Sequence, residues 1–272
     1  MNKLPKKIKL GIMGVGMVGG ALRYYFEKKG LNPLLYDPGK NLGSLKEVNL
    51  ADIIFICVPT PFNREKGFDL SFVEEACRGI EGKKIVVIKS TILPGTTETL
   101  QKKYPQHKFL FNPEFLTEAT AKEDMEHPDR QILGYTKESR QVAKIVLGIL
   151  PPAPFMKIIP AKEAELVKYF SNTWFSTKVI FANYVYKLCQ KLGIDYEIVR
   201  ECASADRMIG PSHLDVRHKG YFGYGGRCLP KDMRSFIRFA KERGVDLKLH
   251  KLVEEVNNQL MKEQGIDDAE NL

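Results

Sequence analysis

The chain has no CxxC pair, and its five cysteines are odd in number and widely spaced. That excludes a disulfide framework and speaks against zinc, so no metal is expected; it suits a reducing cytoplasmic compartment. Long apolar runs are also missing. Ile53-Ile54-Phe55-Ile56-Cys57-Val58 is representative of the longest, whereas a bilayer span needs about 20 residues. The lysine-rich start leads straight into a strand pattern, with no apolar segment or small-residue cleavage site, so no secretory signal is expected. There is no internal repeat and no low-complexity tract.

The charge balance is 42 − 33 = +9. Apart from Lys3, Lys6, Lys7 and Lys9 the basic residues are scattered, which argues for anionic metabolites as partners and against nucleic acid. With 43% hydrophobic and 28% charged residues the composition is that of a soluble globular protein, expected to have no membrane partner. At 272 residues it can bury well over half of its unfolded surface without cross-links.

Residues 1–158 alternate between β-rich runs and helical patterns. Strands are predicted at Ile8–Met13, Pro33–Tyr36, Asp52–Val58, Lys84–Lys89, Lys108–Phe111, Gln131–Leu133 and Phe155–Ile159. Helices are predicted at Val18–Lys29, Ser71–Ile80, Thr96–Lys103 and Glu138–Leu150. Apolar strands alternating with helices imply a mostly parallel sheet covered on both faces. The pattern changes in residues 159–272, which are expected to be all-helical. No helix breaker occurs between Ala161 and Leu192; Pro160 stands where a first-turn proline belongs and Gly193 where a terminating glycine belongs. The result is a helix of about 30 residues and about 45 Å. Its apolar stripe includes Leu166, Phe170, Trp174, Ile180, Phe181, Tyr184, Val185 and Leu188. That is wider than one partner needs, which points to a homodimer built through Ala161–Leu192. Further helices are predicted at Tyr196–Ala203, Pro230–Arg243 and Leu247–Lys262, and the polar stretch Gly265–Leu272 is expected to fray.

Directly after the first strand comes Gly14-Val15-Gly16-Met17-Val18-Gly19, and Asp37 ends the next strand. A lone GxGxxG is a weak signal, but strand, glycine loop, helix and acidic residue together make a full dinucleotide fingerprint. Gly14 permits the tight turn, Gly16 lets the backbone approach a pyrophosphate, and Gly19 lets helix and strand pack closely. The helix N-terminus faces the phosphates. Asp37 would bind the ribose hydroxyls and repel a 2′-phosphate, favouring NAD over NADP. The fold class is therefore α/β: a Rossmann-like doubly wound, mostly parallel sheet, followed by an all-helical dimerisation domain with one long helix.

GYGGRCLPKD, Gly223 to Asp232, carries the other chemistry. Three glycines let the backbone crowd a ligand, and Cys228 stands at a helix start beside Lys231. A free thiol is only about 3% thiolate at pH 7, and positive surroundings lower its pKa. Cys57, Cys77, Cys189 and Cys202 lie in apolar patterns and are expected to be buried and inert. Lys168 and Asn172 share a helix face and could hold an oxyanion. Glu114 and Glu118 in NPEFLTE, Ser90 and Thr91 in KSTILPGTT, and Thr60 in CVPTPF all follow strand ends, where open α/β sheets bind ligands.

In order along the chain, GVGMVG, CVPTPF, KSTILPGTT, FNPEFLTE, AELVKYFSN and GYGGRCLPKD resemble the UDP-glucose/GDP-mannose 6-dehydrogenases nearly end to end. The last motif is the most specific. The resemblance implies oxidation of a sugar C6 alcohol to a carboxylate with two NAD per turnover and a covalent cysteine intermediate. By position, Cys228 would be the nucleophile, Lys168 and Asn172 would stabilise oxyanions, and Asp232 and Thr91 would position water. Glu114 would be the general base for thioester hydrolysis, and Glu118 would orient the water and meet the cofactor side. Thr60, Thr91 and Lys231 would contact NAD. Glu114-Phe115-Leu116-Thr117-Glu118, Lys168, Asn172 and Gly225 would line the substrate, and a loop carrying His213 and Tyr221 would close over it. All of this requires the Cys228 thiol to face the nicotinamide across a crevice that also admits Lys168.

Two departures stand out. DRMIG puts Met208 where many relatives carry arginine, with Arg207 one residue early, so Arg207 is given no substrate role. The chain also stops near where a further nucleotide-gripping domain would begin. Either it binds with fewer contacts, or a companion chain supplies that domain, or its substrate differs. A catalytically idle NAD-binding subunit and a β-hydroxyacid-type dehydrogenase are the competing expectations. Against the latter, GYGGRC and NPEFLTE have no role in that chemistry.

Overall fold

The computed structural model describes residues 8–63, 65 and 67–272. Lys3, Lys6 and Lys7 of the basic start lie outside the described residues. The chain divides into two compact units, Met1–Lys168 and Tyr169–Leu272.

In the first unit, β1 (Leu10–Met13) leads through the glycine loop into α1 (Met17–Lys28), then β2 (Leu34–Asp37), β3 (Leu42–Gly43) and α2 (Leu45–Val48). Next come β4 (Ile53–Ile56), a hairpin of β5 (Phe62–Asn63) and β6 (Gly67–Phe68), α3 (Ser71–Arg78), β7 (Ile85–Ile88) and α4 (Thr96–Lys103). The unit continues with β8 (Lys108–Phe111), α5 (Ala121–Glu126), β9 (Arg130–Tyr135), α6 (Ala143–Leu147) and β10 (Phe155–Pro160). Among the described residues all of these strands except β5 and β6, which pair only with each other, form one eight-stranded sheet, in the order β10-β9-β8-β7-β4-β1-β2-β3.

β1 and β4 are buried along their whole length because each is apolar on both faces. Two apolar layers flank them. One gathers Met13, Ile54, Ile56, Val86, Ile88 and Phe109, and the other Ile12, Leu22, Phe26, Phe55, Val87 and Leu110. The strands β2, β1, β4, β7 and β8 run parallel. Their carboxyl ends therefore share one edge, and that edge carries the glycine loop, Cys57–Thr60, Lys89–Thr91 and Asn112–Leu116.

The sheet is mixed, because β9 pairs antiparallel with β8 and β3 antiparallel with β2. The stretch 138–150 is helical over a shorter span than predicted, and α2, α5, β3 and the β5–β6 hairpin are too short for periodicity to reveal. Pro160 is not a first-turn helix residue. It ends β10, an edge strand in which its missing N–H costs nothing.

The long helix α7 runs from Ala161 to Leu192, and Gly193 leaves it at φ +66°. Its first turns bind the sheet unit. Glu165, fully buried, accepts hydrogen bonds from the Gly95 N–H (2.5 Å), the Thr97 N–H (2.8 Å) and the Thr97 hydroxyl (2.5 Å). It thereby caps α4, whose own N-cap is Gly95 and has no side chain to do so.

The second unit holds the rest of α7 with α8 (Tyr196–Ser204), α9 (Leu229–Lys241) and α10 (Lys248–Glu263). Val179, Ile180, Tyr224, Met233, Val253 and Leu260 form its main core. The final residues are not frayed. The Gly226 N–H donates to the Ala269 carbonyl at 2.7 Å, and Ala269 is buried. Arg234 pairs with Glu254 at 2.7 Å and also with Glu270. Among the described residues no helix is long and apolar enough to cross a membrane.

Burial pushes the Glu165 carboxyl up to about 7, although its three donors pull the other way. A carboxyl raised in the folded state favours folding most below its ordinary 4.5, and that contribution is lost as pH rises to about 7. Urea unfolding should therefore show stability falling over this window by on the order of 3 kcal/mol. Glu165→Gln should be less stable at pH 5 and should lose this part of the slope.

Candidate active site

The cofactor loop is shaped by close contacts. Gly14 sits at φ +84°, and its N–H donates to the Tyr36 carbonyl at 2.9 Å. A Cβ on Gly19 would stand 2.0 Å from the Gly14 carbonyl oxygen. A Cβ on Gly16 would meet nothing within 4 Å. The turn and the packing glycine are therefore sterically required, while Gly16 borders open space. Gly16 is also the N-cap of α1. It supplies no side-chain cap, and no acidic residue stands in the first turn. An exposed, uncapped helix start beside open backbone fits a pyrophosphate. Val15 is buried, Met17 is exposed and Val18 is half-buried. The Asp37 carboxylate accepts from the Val15 N–H at 2.7 Å, and Lys40 donates to the Val15 carbonyl at 2.6 Å. Asp37 is thus held at the rim of the glycine loop, where a ribose would follow the pyrophosphate.

Two strand ends are tied beside it. The Thr60 hydroxyl donates to the Thr91 carbonyl at 2.8 Å, and the Ser90 hydroxyl donates to the Val58 carbonyl at 2.6 Å. After β8, Glu114 is buried. Lys168 of α7 lies 2.8 Å from its carboxylate and donates to its backbone carbonyl at 2.9 Å, and the Leu116 N–H donates to the other carboxylate oxygen at 2.8 Å. Burial alone would raise the Glu114 carboxyl. The Lys168 ammonium and the Leu116 amide outweigh burial and hold it below its ordinary value. Phe115 packs under the Arg130 guanidinium, 3.8 Å from its ring centre. Thr117 and Glu118 are exposed, with the Thr117 N–H bound to Asp124 at 2.7 Å.

In the second unit Cys228 is the exposed N-cap of α9, and its carbonyl accepts the helix's first hydrogen bond from the Asp232 N–H at 2.9 Å. Asp232 is buried. One of its oxygens takes a bond from the Asn172 amide and the other from Lys231, each at 2.5 Å. Pro230 in the first turn, with no N–H to leave unmet, fits this start. Tyr221 and Gly225 belong to the glycine-rich loop before Cys228. A Cβ at Gly225 would lie 2.8 Å from the Leu272 side chain and 2.9 Å from the Tyr221 hydroxyl. His213 is held at φ +64° and stacks on Phe175 with ring centres 4.1 Å apart. Burial, with Lys178 and His218 nearby, lowers its pKa.

Desolvation pushes the Cys57 and Cys77 thiols up to about 12, as inert cysteines should be; Cys77 and Cys189 are buried, while Cys57, just past the end of β4, is only half-buried, short of its expected burial. Cys202 is exposed, contrary to its expected burial, because α8 turns that face to solvent. Arg207 and Met208 are both exposed. Lys89 and Asn112 were not singled out in the sequence. Lys89 is 3% exposed and donates to the Asn112 side-chain oxygen at 2.6 Å. A lysine ending the apolar run Ile85-Val86-Val87-Ile88 was the available signal.

Fold and loop chemistry define a dinucleotide-binding α/β unit joined in sequence to a helical unit. Residues 39–148 match the NAD binding domain of the UDP-glucose/GDP-mannose dehydrogenase family, and residues 162–259 match that family's central domain. The glycine fingerprint and Asp37 precede the first match. A solved UDP-glucose dehydrogenase from the hyperthermophilic archaeon Pyrobaculum islandicum superposes with TM-score 0.80 at 30% identity, covering 97% of this chain and 73% of that one. The UDP-glucose 6-dehydrogenase TuaD of Bacillus subtilis is 32% identical over 260 residues, covering 85% of this chain and 54% of TuaD. A UDP-D-ManNAc dehydrogenase from Pyrococcus horikoshii has the same fold, with TM-score 0.79 at 19% identity, over 95% of this chain and 73% of that one. The chain belongs to the UDP-glucose/GDP-mannose dehydrogenase family. It spans about half the length of the curated relatives it matches.

Removing Lys168 would strand a buried carboxylate. Lys168→Met should lower stability at pH 7 by about 3–5 kcal/mol, and adding Glu114→Gln should restore much of that loss in urea melts.

Proposed function

We propose that the chain carries the machinery of an NAD-dependent nucleoside-diphosphate-sugar 6-dehydrogenase, with UDP-glucose oxidised to UDP-glucuronate as the favoured reaction. The observation that supports it most is the exposed Cys228 at the N-cap position of α9, one turn from a buried Asp232 that engages both Asn172 and Lys231. A thiol at a helix start is placed to act as a thiolate, since the helix N-terminus favours negative charge.

The glycine loop and Asp37 would hold NAD, with Thr60, Thr91, Glu118 and Lys231 as further contacts. When bound, NAD supplies the hydride acceptor. The C6 alcohol would pass its proton to the water held by Asp232 and Thr91 and give up a hydride, becoming an aldehyde. The Cys228 thiolate adds to the aldehyde carbon, and Lys168 and Asn172 stabilise the resulting thiohemiacetal oxyanion. Loss of a second hydride from that adduct would leave a thioester on Cys228, with NAD held by the residues above supplying the acceptor. A water positioned by Asp232 and Thr91 gives its proton to Glu114 and attacks the thioester carbonyl; the thiolate leaves and a carboxylate forms. Glu114 is a weak base while Lys168 sits on it. An oxyanion that draws the ammonium away makes the carboxylate more basic just as hydrolysis needs it. Phe115, Leu116, Thr117, His213, Tyr221 and Gly225 would line the sugar nucleotide.

The apolar stripe of α7 supports a homodimer. Phe170, Trp174 and Phe181 are 72%, 54% and 67% exposed, with Tyr184, Leu188 and Leu192 continuing along the helix. Light scattering should give twice the chain mass, and Phe181→Glu should shift the protein towards monomer.

Purified protein given UDP-glucose and NAD should form two NADH per uronate. Cys228→Ser should lose at least about 1,000-fold in uronate formation, consistent with loss of a covalent nucleophile. Full turnover by this variant would remove the thioester route, and no turnover by the native protein on any sugar nucleotide would remove the activity.

A further inference from the structure

A directed chain of side chains runs through Asn112, two residues before Glu114. Gln131 donates through its amide nitrogen to the Pro151 carbonyl at 3.1 Å, so its oxygen faces Asn112. Asn112 donates to that oxygen at 2.8 Å and to the Ile132 carbonyl at 2.7 Å. Both N–H groups of Asn112 are thus committed to acceptors, and its remaining oxygen can only turn towards a donor. Lys89 supplies that donor at 2.6 Å. All three side chains are buried. Every orientation in the chain is set by its neighbour, and the end of it is an acceptor built for an ammonium.

Among the described residues Asn112 is the acceptor that takes a hydrogen bond from Lys89, so an ammonium there keeps two further donors. The titratable groups that act on Lys89 are Cys57 at the end of β4, Glu114 after β8, and Lys168 on α7. The Cys57 thiol, pushed up to about 12, is neutral at pH 7. Glu114 is therefore the anion available to Lys89. Burial works against the Lys89 charge and lowers its pKa, while Glu114 works for it. Asn112, which holds the Lys89 ammonium, stands two residues before Glu114, and a second cation in so dry a place makes physical sense if the Lys168–Glu114 pair is not permanent.

We propose that Lys89 is a positioning residue for Glu114, a second cation that keeps this carboxylate charged when Lys168 is drawn away to an oxyanion. The inference rests on the role given to Glu114 above, and it sets how basic that carboxylate becomes: strong enough to take a proton from water, yet still ionised at neutral pH.

Lys89→Gln tests it, because the glutamine amide can still donate to Asn112 while the charge is gone. In protein with 13C-labelled glutamate side chains, the Glu114 signal is identified by its loss in Glu114→Gln. Combined with Lys168→Met, Lys89→Gln should raise the Glu114 midpoint by at least about one pH unit, a tenfold change in proton affinity. Lys89→Arg in the same background should leave it near the starting value. In turnover, the acid limb of kcat/KM for Lys89→Gln should move up by a similar amount, with KM for NAD unchanged. An unmoved Glu114 midpoint in Lys89→Gln overturns the proposal. So does a 15N signal showing Lys89 as a neutral amine at pH 7 in the unaltered protein, a measurement that needs no variant to fold. The carboxyl titration does not depend on catalysis, so a protein inactive on sugar nucleotides would defeat the reaction assigned above and leave this test standing.

Discussion

Lys168 and Glu114 meet where water is nearly absent, and each charge offsets much of the other's cost of desolvation. Their contact joins the first turns of α7 to the end of β8, and it is doubled by the Lys168 bond to the Glu114 carbonyl. One turn earlier, Glu165 offers its carboxylate to the start of α4. Glu165 and Lys168, three positions apart, thus seat the first turns of α7 against the start of α4 and the end of β8 through directional bonds. Apolar packing alone would tolerate a slip along the helix. A carboxylate that must meet the Gly95 and Thr97 amides, and an ammonium that must meet Glu114, would not. A pair worth little in net stability can therefore specify register strongly.

The same pair limits the chemistry. A carboxylate held low by an ammonium is stable and weakly basic, and a carboxylate freed in a dry site is neither. How basic Glu114 is consequently depends on whether Lys168 stays on it. The second unit solves a parallel problem differently. Asp232 satisfies both oxygens at once, through Asn172 and Lys231, and has no similar latitude. The Asp232 amide closes the first turn of the helix that Cys228 caps. The glycine-rich loop before the cysteine is backed by the last residues of the chain, through the Gly226–Ala269 hydrogen bond and the Arg234 ion pairs.

Much of the architecture was legible because strong periodic signals dominate it. The extent of α7 followed from an uninterrupted run of helix formers ending at Gly193, and β1, β4, β7 and β8 from apolar runs bounded by turn residues. Short pieces were not legible: α2, α5 and the β5–β6 hairpin hold too few residues for a period to show. The antiparallel entry of β9 was hidden for another reason. Strand direction is set by the path of the connection, and no residue within the strand encodes it. Cys202 misled because an apolar helical pattern does not say which turn faces solvent at the end of a short helix. The polar tail misled because ion pairs to Arg234 can fasten residues that have little apolar surface.

The amino-acid order alone determined which groups could act. The glycine fingerprint with Asp37, the thiol at a helix start, and the lysine and asparagine one turn apart are local patterns, and local backbone geometry carries them. Tertiary structure decided how charged those groups are. Whether Glu114 is a strong or weak base, whether Lys89 is a solvated tail or a buried cation, and whether Asp232 is satisfied all depend on partners far away in the chain, such as Lys168 for Glu114 and Asn172 for Asp232. Proton affinity follows from desolvation and from nearby charge, and both exist only once distant segments have come together.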